Sequence, residues 1–309
     1  MKIRLLPLLG LTLSTAVIFT ACKKDSSSNS STDTSAQATV QADDQARVTQ
    51  DLDNVSTDAD NTVSSDPSMG GRELAFMGCN ATAVSDTTGS VNKITITYAG
   101  NDCDNNRSRT GTVVLSMAKG VHWKDVGAVL TIDIQNLKIT RLKDNKSITI
   151  NGTKTVTNVT GGLLPLLATH GEIIHDINSD GITITFDNNT QRSWKLAIER
   201  TFDYNNGIVA SETGTHTDGT TSGIAVWGTN RFGNAFSWQI VTPLVVRQDC
   251  NFRLTSGIAV HTGALGVATT TFGLDATGVA TSCPGTGSYY FKTVFVSTSN
   301  KTYTFILPY

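Results

Sequence analysis

The sequence predicts an all-β protein of antiparallel meanders and hairpins, and three observations carry that prediction. Apolar and polar residues alternate with period two at 94–98 (Ile-Thr-Ile-Thr-Tyr), 130–134, 148–150, 182–186 and 303–307, the signature of half-buried strands. Turn formers punctuate the runs at Asn151-Gly152, Asp180-Gly181, Asn205-Asn206-Gly207 and Asp218-Gly219, the pairs that tight hairpins favour. The composition agrees: 47 Thr and 27 Gly stand against four Glu, a bias toward strand and turn formers and away from helix formers. Roughly 13 to 17 strands are expected. Parallel crossovers would need helices that the 70–309 region does not offer. Thr-rich outward faces with Ile, Val, Leu and aromatic inward faces suit a large β-sandwich-like body, with one long twisted single sheet as the alternative.

From the N-terminus, residues 1–21 carry Lys2 and Arg4 followed by an apolar run broken by Pro7 and Gly10, the layout of a secretory leader. Its length is at the bottom of the membrane-spanning range. Phe19-Thr20-Ala21-Cys22 closes the run, a small residue followed by cysteine. This quartet resembles the lipobox of bacterial lipoproteins, and the resemblance implies that Cys22 is acylated after cleavage before it and becomes a membrane anchor. Several acyl chains give durable attachment, at about 0.8 kcal/mol per buried methylene. Lys23-Lys24-Asp25 is similar to the start of many Bacteroidota lipoproteins, which implies an outer-membrane location, on the periplasmic or cell-surface side. The competing reading is an ordinary cleaved leader and a soluble secreted chain.

Residues 22–69 read as an acidic Ser/Thr/Asp-rich disordered tether. The stretch from 23 holds three basic residues against nine Asp (25, 33, 43, 44, 51, 53, 58, 60 and 66) and has no aromatic residue, too little apolar surface to order itself. A short helix around 36–52 is conceivable, but its apolar residues look too sparse to dock firmly. The all-β body is assigned to 70–309, which keeps 19 basic and 17 acidic residues. Such a near-neutral body excludes a strongly basic nucleic-acid binder.

Four cysteines remain, Cys79, Cys103, Cys250 and Cys283. An exported chain meets an oxidising compartment, so two disulfides are expected, with three connectivities open. Chain order favours Cys79 with Cys103 and Cys250 with Cys283, because each pair encloses a strand hairpin; each bridge would stabilise by about 3 kcal/mol. The run from Asn92 through Cys103, the Arg109-Thr110-Gly111 step into the next strand, and Pro243-Leu244 before Cys250 resemble a group of uncharacterised Bacteroidota lipoproteins. That resemblance implies an all-β lipoprotein and supplies no catalytic residue.

Chemistry is hard to find. Asp176, Asn178 and Asp180, with Gly181 and Asp187, imitate the oxygen spacing of a calcium loop. Asp187 stands where a bidentate Glu belongs, and an Asp-Gly turn explains the run better. His170, Glu172, His175 and Asp176 fall within seven residues and read as loop decoration. Gly-x-Ser-x-Gly and His-Glu-x-x-His motifs are absent. Trp194 and Trp238 read as core, whereas Trp123, Trp227 and Arg231 are the ligand candidates, with sugar stacking as their chemistry. No cofactor is expected. The chain is therefore expected to be a non-enzymatic binding or envelope-structural lipoprotein whose partners are the lipid membrane and a glycan or another envelope protein. The alternative is an extracellular hydrolase acting on polysaccharide or peptide, using loop carboxylates or His170 and His175.

Overall fold

The computed structural model describes residues 29–70, 79–103, 105–281, 283 and 288–309. The leader and Cys22 lie outside the described residues. A long helix, α1 (Asn29–Ser65), precedes fifteen strands: β1 (Ala81–Asp86), β2 (Val91–Asn101), β3 (Arg107–Ala118), β4 (Ala128–Arg141), β5 (Lys146–Asn158), β6 (Ile173–Phe186), β7 (Gln191–Tyr204), β8 (Ile208–Gly214), β9 (His216–Asp218), β10 (Thr221–Thr229), β11 (Ala235–Arg247), β12 (Arg253–Gly263), β13 (Gly266–Leu274), β14 (Tyr290–Ser297) and β15 (Thr302–Pro308).

All fifteen strands belong to one antiparallel sheet that follows chain order from β1 to β7 and continues through β10 to β15. The all-β antiparallel class is thus present, as the single sheet and not as the sandwich. The second layer of a sandwich is replaced by α1. Two short strands fill the space between β7 and β11. The first half of β7 pairs with β10 at Ser193–Leu196 and its second half with β8 from Ile198 to Tyr204. The ladder of β11 is divided in the same way between β10 and β8.

The sheet is strongly curved. Asp43 on α1 bonds to Arg141 of β4, while Gln41, two residues away, meets His261 of β12. In a flat sheet those strands would lie about 29 Å apart, at about 4.8 Å per strand. Bulges bend the strands. Asn151-Gly152 and Asp180-Gly181, expected as turns, lie inside β5 and β6, facing each other where the register shifts between Thr153 and Thr155 and again between Ser179 and Ile182. A bulge adds one residue, bends the strand and increases its twist. Gly152 is required there: its φ is +139° and a Cβ would lie 2.6 Å from the Gly181 carbonyl oxygen. Asn205-Asn206-Gly207 and Asp218-Gly219 do form turns, between β7 and β8 and between β9 and β10.

The acidic segment read as a disordered tether is, over Asn29–Ser65, a helix packed into the sheet's concave side. Val48, Leu52, Val55, Ala59 and Val63 form a buried stripe at spacings of three and four, one face of a helix. Each fully buried Val or Leu contributes about 1.5–3 kcal/mol. The stripe is narrow, as its sparse sequence implies, and polar contacts flank it. Arg109 Nη1 donates to Asp58 at 2.6 Å, with Tyr98 Oη donating to the same oxygen at 2.8 Å. Arg107 lies 2.9 Å from Asp51, and Arg231 and Arg141 grip Asp44 and Asp43 through two bonds each. In return Arg47 of α1 donates to the carbonyls of Ile139 and Lys146. Local composition hid this outcome because the counter-charges sit 51 to 187 residues away, on other strands and the β10–β11 connection. At the far end Asp66 accepts from Ser68 and Ser85, tying the helix exit to β1.

Gly152→Ala is expected to cost about 2–3 kcal/mol, and Gly120→Ala, where φ is also positive (+83°) but nothing lies within 4 Å, about 1 kcal/mol. Denaturant midpoints of the two variants check this. Equal losses would mean that close approach at the bulge does not constrain the sheet.

Candidate functional site

The inward positions of the alternating strands carry charge as well as apolar bulk. On β7 the inward register runs Arg192, Trp194, Leu196, Ile198, Arg200 and Phe202; on β5, Lys154 and Asn158 accompany Ile150 and Val156. Beneath α1, Lys154 of β5 and Trp194, Leu196, Ile198 and Arg200 of β7 border a cavity of about 80 Å³. Its polar lining includes Asp53 and Ser56 of α1, Lys154 of β5, Arg200 of β7 and Glu212 of β8; its apolar lining includes Leu52, Trp194, Leu196, Trp238 and Leu244.

Within this lining the cations have partners. Arg200 Nε donates to Glu212 at 2.6 Å. Lys154, 3% exposed, donates to Ser56 Oγ and, at 3.4 Å, to the Leu52 carbonyl. Asp53 is half-buried, and its shielded Oδ2 has no hydrogen-bond partner. Burial lifts the Asp53 carboxyl well above the ordinary carboxylate range, against the pull of Arg200, and burial lowers the Lys154 ammonium. Asp60, about two helical turns further, is pushed up to about 6 by burial although Arg200 and Lys154 oppose it.

Two histidines, buried His175 and half-buried His261, are held neutral. His175 is driven down to about 3 by burial, with Arg200 adding to the effect, and lies between the rings of Trp123 and Phe202 at 5.1 and 5.2 Å. His261 is driven down to about 4 by burial and, secondarily, by Arg192, and its Nε2 is 3.2 Å from Gln41 Nε2. Arg192 itself is 1% exposed, bonded to Gln45 and set over the rings of both Trp194 and Phe236.

The residues singled out from the sequence do not converge. Trp123 is 3% exposed in the core, so a ligand from solution does not reach its ring. Arg231 is committed to Asp44 and lies over the Phe186 ring at 3.5 Å. Trp227 alternates with buried Val226, pointing away from the helix, and one face of its indole is covered by His216 at 3.8 Å, nearly parallel. Asp176, Asn178 and Asp180 lie along β6, and alternate residues of a strand are about 7 Å apart, so they cannot close around one ion. His170 is exposed, apart from buried His175. Trp194 is core, as expected, and Trp238 packs against the core half-buried.

The cysteines pair as Cys79 with Cys103 and Cys250 with Cys283, with Cα separations of 5.1 and 5.2 Å. The first pair encloses the β1–β2 hairpin and the second the β12–β13 hairpin. Asp249 stands beside the second pair, but both sulfurs are used in the bridge and the carboxylate is bound by Arg247. The chain matches no protein family, no curated protein and no solved structure.

The raised Asp60 carboxyl sets a pH dependence. Its folded value, about 6, lies above the ordinary 3.8, so the folded chain holds a proton that the unfolded chain releases. This contribution to stability is complete below about pH 4 and is lost as pH rises through 6. Asp60→Asn is expected to remove that slope, gaining up to about 3 kcal/mol over wild type between pH 4 and 7. Thermal melts across this range test it; parallel profiles would contradict it.

Proposed function

We propose that the chain is an exported lipoprotein, held at the outer membrane by acyl groups on Cys22, whose body binds an envelope partner or supports the envelope and does not turn over a substrate. The observation that carries this reading is the occupation of the sheet's concave face by the chain's own helix. Arg107, Arg109, Arg141 and Arg231, the cations with which a trough of this kind would hold an anionic substrate, are engaged by Asp51, Asp58, Asp43 and Asp44. Of the two histidines a hydrolase reading would use, His175 is kept neutral among aromatic rings and His170 lies apart from it, exposed.

The position of α1 supports the anchor reading. It begins at Asn29, seven residues after Cys22, and runs about 18 Å, at 1.5 Å per residue, to Gln41, which meets β12. An acylated Cys22 would therefore hold the body through a short stalk, not a long coil. Among the described residues no helix is long and apolar enough to cross a membrane, and acylation supplies attachment without one. The similarity to uncharacterised Bacteroidota lipoproteins is in keeping with this. On the outer face Trp227 is the residue that a glycan partner would contact.

The test is expression with the leader in a Gram-negative host, followed by mass spectrometry of the N-terminal peptide and detergent phase partitioning. The expected result is an acylated Cys22 and recovery in the detergent phase, with Cys22→Ser moving to the aqueous phase. An unmodified N-terminus in the aqueous phase would overturn the anchor, and measurable hydrolysis of a polysaccharide or peptide would overturn the binding role in favour of the hydrolase.

A further inference from the structure

The cavity beneath α1 has an electrostatic defect that its own residues leave open. Lys154 from β5, Arg200 from β7, Glu212 from β8 and Asp53 from α1 line it, and Asp60 of α1, outside the lining, acts on the same two cations. Two cations face three carboxylates. Arg200 is bound to Glu212 and Lys154 to Ser56, while the shielded Oδ2 of Asp53 accepts from nothing. A buried carboxylate oxygen without a donor is costly, by about 1–3 kcal/mol or more for a charged group. A small cation with an N–H donor would relieve both the missing hydrogen bond and the excess of carboxylates.

The walls narrow the chemistry. Calcium and magnesium want six or more oxygens, zinc wants histidine or cysteine ligands that the lining does not hold, and of the carboxylates that line the cavity Glu212 is already committed to Arg200. Trp194, Trp238 and Leu244 instead offer apolar surface, and the indoles offer faces that attract cations. A cavity of about 150 Å³ takes benzene; at about 80 Å³ this one fits a molecule of a few heavy atoms. We propose that the cavity is a binding site for a small primary ammonium compound with a short apolar chain, its ammonium donating to Asp53 and its carbon chain lying against Trp194 and Trp238. This goes beyond the anchoring and envelope role and does not depend on where the chain is attached.

The probe is propylammonium chloride, titrated into the exported chain while tryptophan emission is followed. A saturable change is expected. Propionate and 1-propanol, of matching size but with reversed or no charge, are expected to give none at the same ionic strength. Asp53→Asn should weaken propylammonium binding at least about tenfold, and Asp133→Asn, on the opposite face of the sheet, should leave it unchanged. A silent titration with propylammonium, an equal response to propanol or propionate, or full affinity in folded Asp53→Asn would each overturn the proposal. Should Asp53→Asn not fold, the charge series on the unaltered protein still decides between support and refutation.

Discussion

The ion-pair seam between an acidic helix and a basic trough is the constraint on which the rest of the structure depends. Five arginines from β3, β4, β7 and the β10–β11 connection reach inward to α1, and four of them meet an aspartate. Neither side is stable alone. Without α1, Arg109 loses Asp58 and Arg192 loses Gln45, and the apolar side chains of the trough are laid open to water. Without the trough, the helix is a self-repelling polyanion with a stripe of five apolar residues, too little to order it in water. Each part supplies the solvent that the other lacks.

That seam explains the shape of the sheet. To reach one helix from both sides, strands as far apart as β4 and β12 must be brought round it, and bulges with glycine at the crowded positions provide the bend. The single sheet then has a closed core on its concave side without needing a second sheet. The two disulfides brace hairpins at either end of the order, β1–β2 and β12–β13, near the strands where the wrap around α1 runs out.

How much of this is legible in the sequence follows from range. The strands at 94–98, 130–134 and 182–186 are visible because period two is local, and the cysteine pairing because each pair brackets its own hairpin. The bulges at Gly152 and Gly181 are not separable from turns without knowing that the flanking runs are one strand each. The helix is missed because its stability lies in partners on other strands. A signal was present: Arg109, Lys154, Arg192 and Arg200 occupy inward positions of alternating strands, where a charge demands a buried counter-charge. Asp53, the open group of the cavity, carries no such mark, because a helical aspartate in an acidic stretch looks solvated until its surroundings are known.

The most direct measurement is amide hydrogen exchange of the protein. Residues 48–63, if the helix is an integral core element, share the protection of β4 and β5 and open only with the global unfolding of the sheet. Exchange of 48–63 at the rate of an unstructured peptide, while β4 and β5 stay protected, would contradict the account.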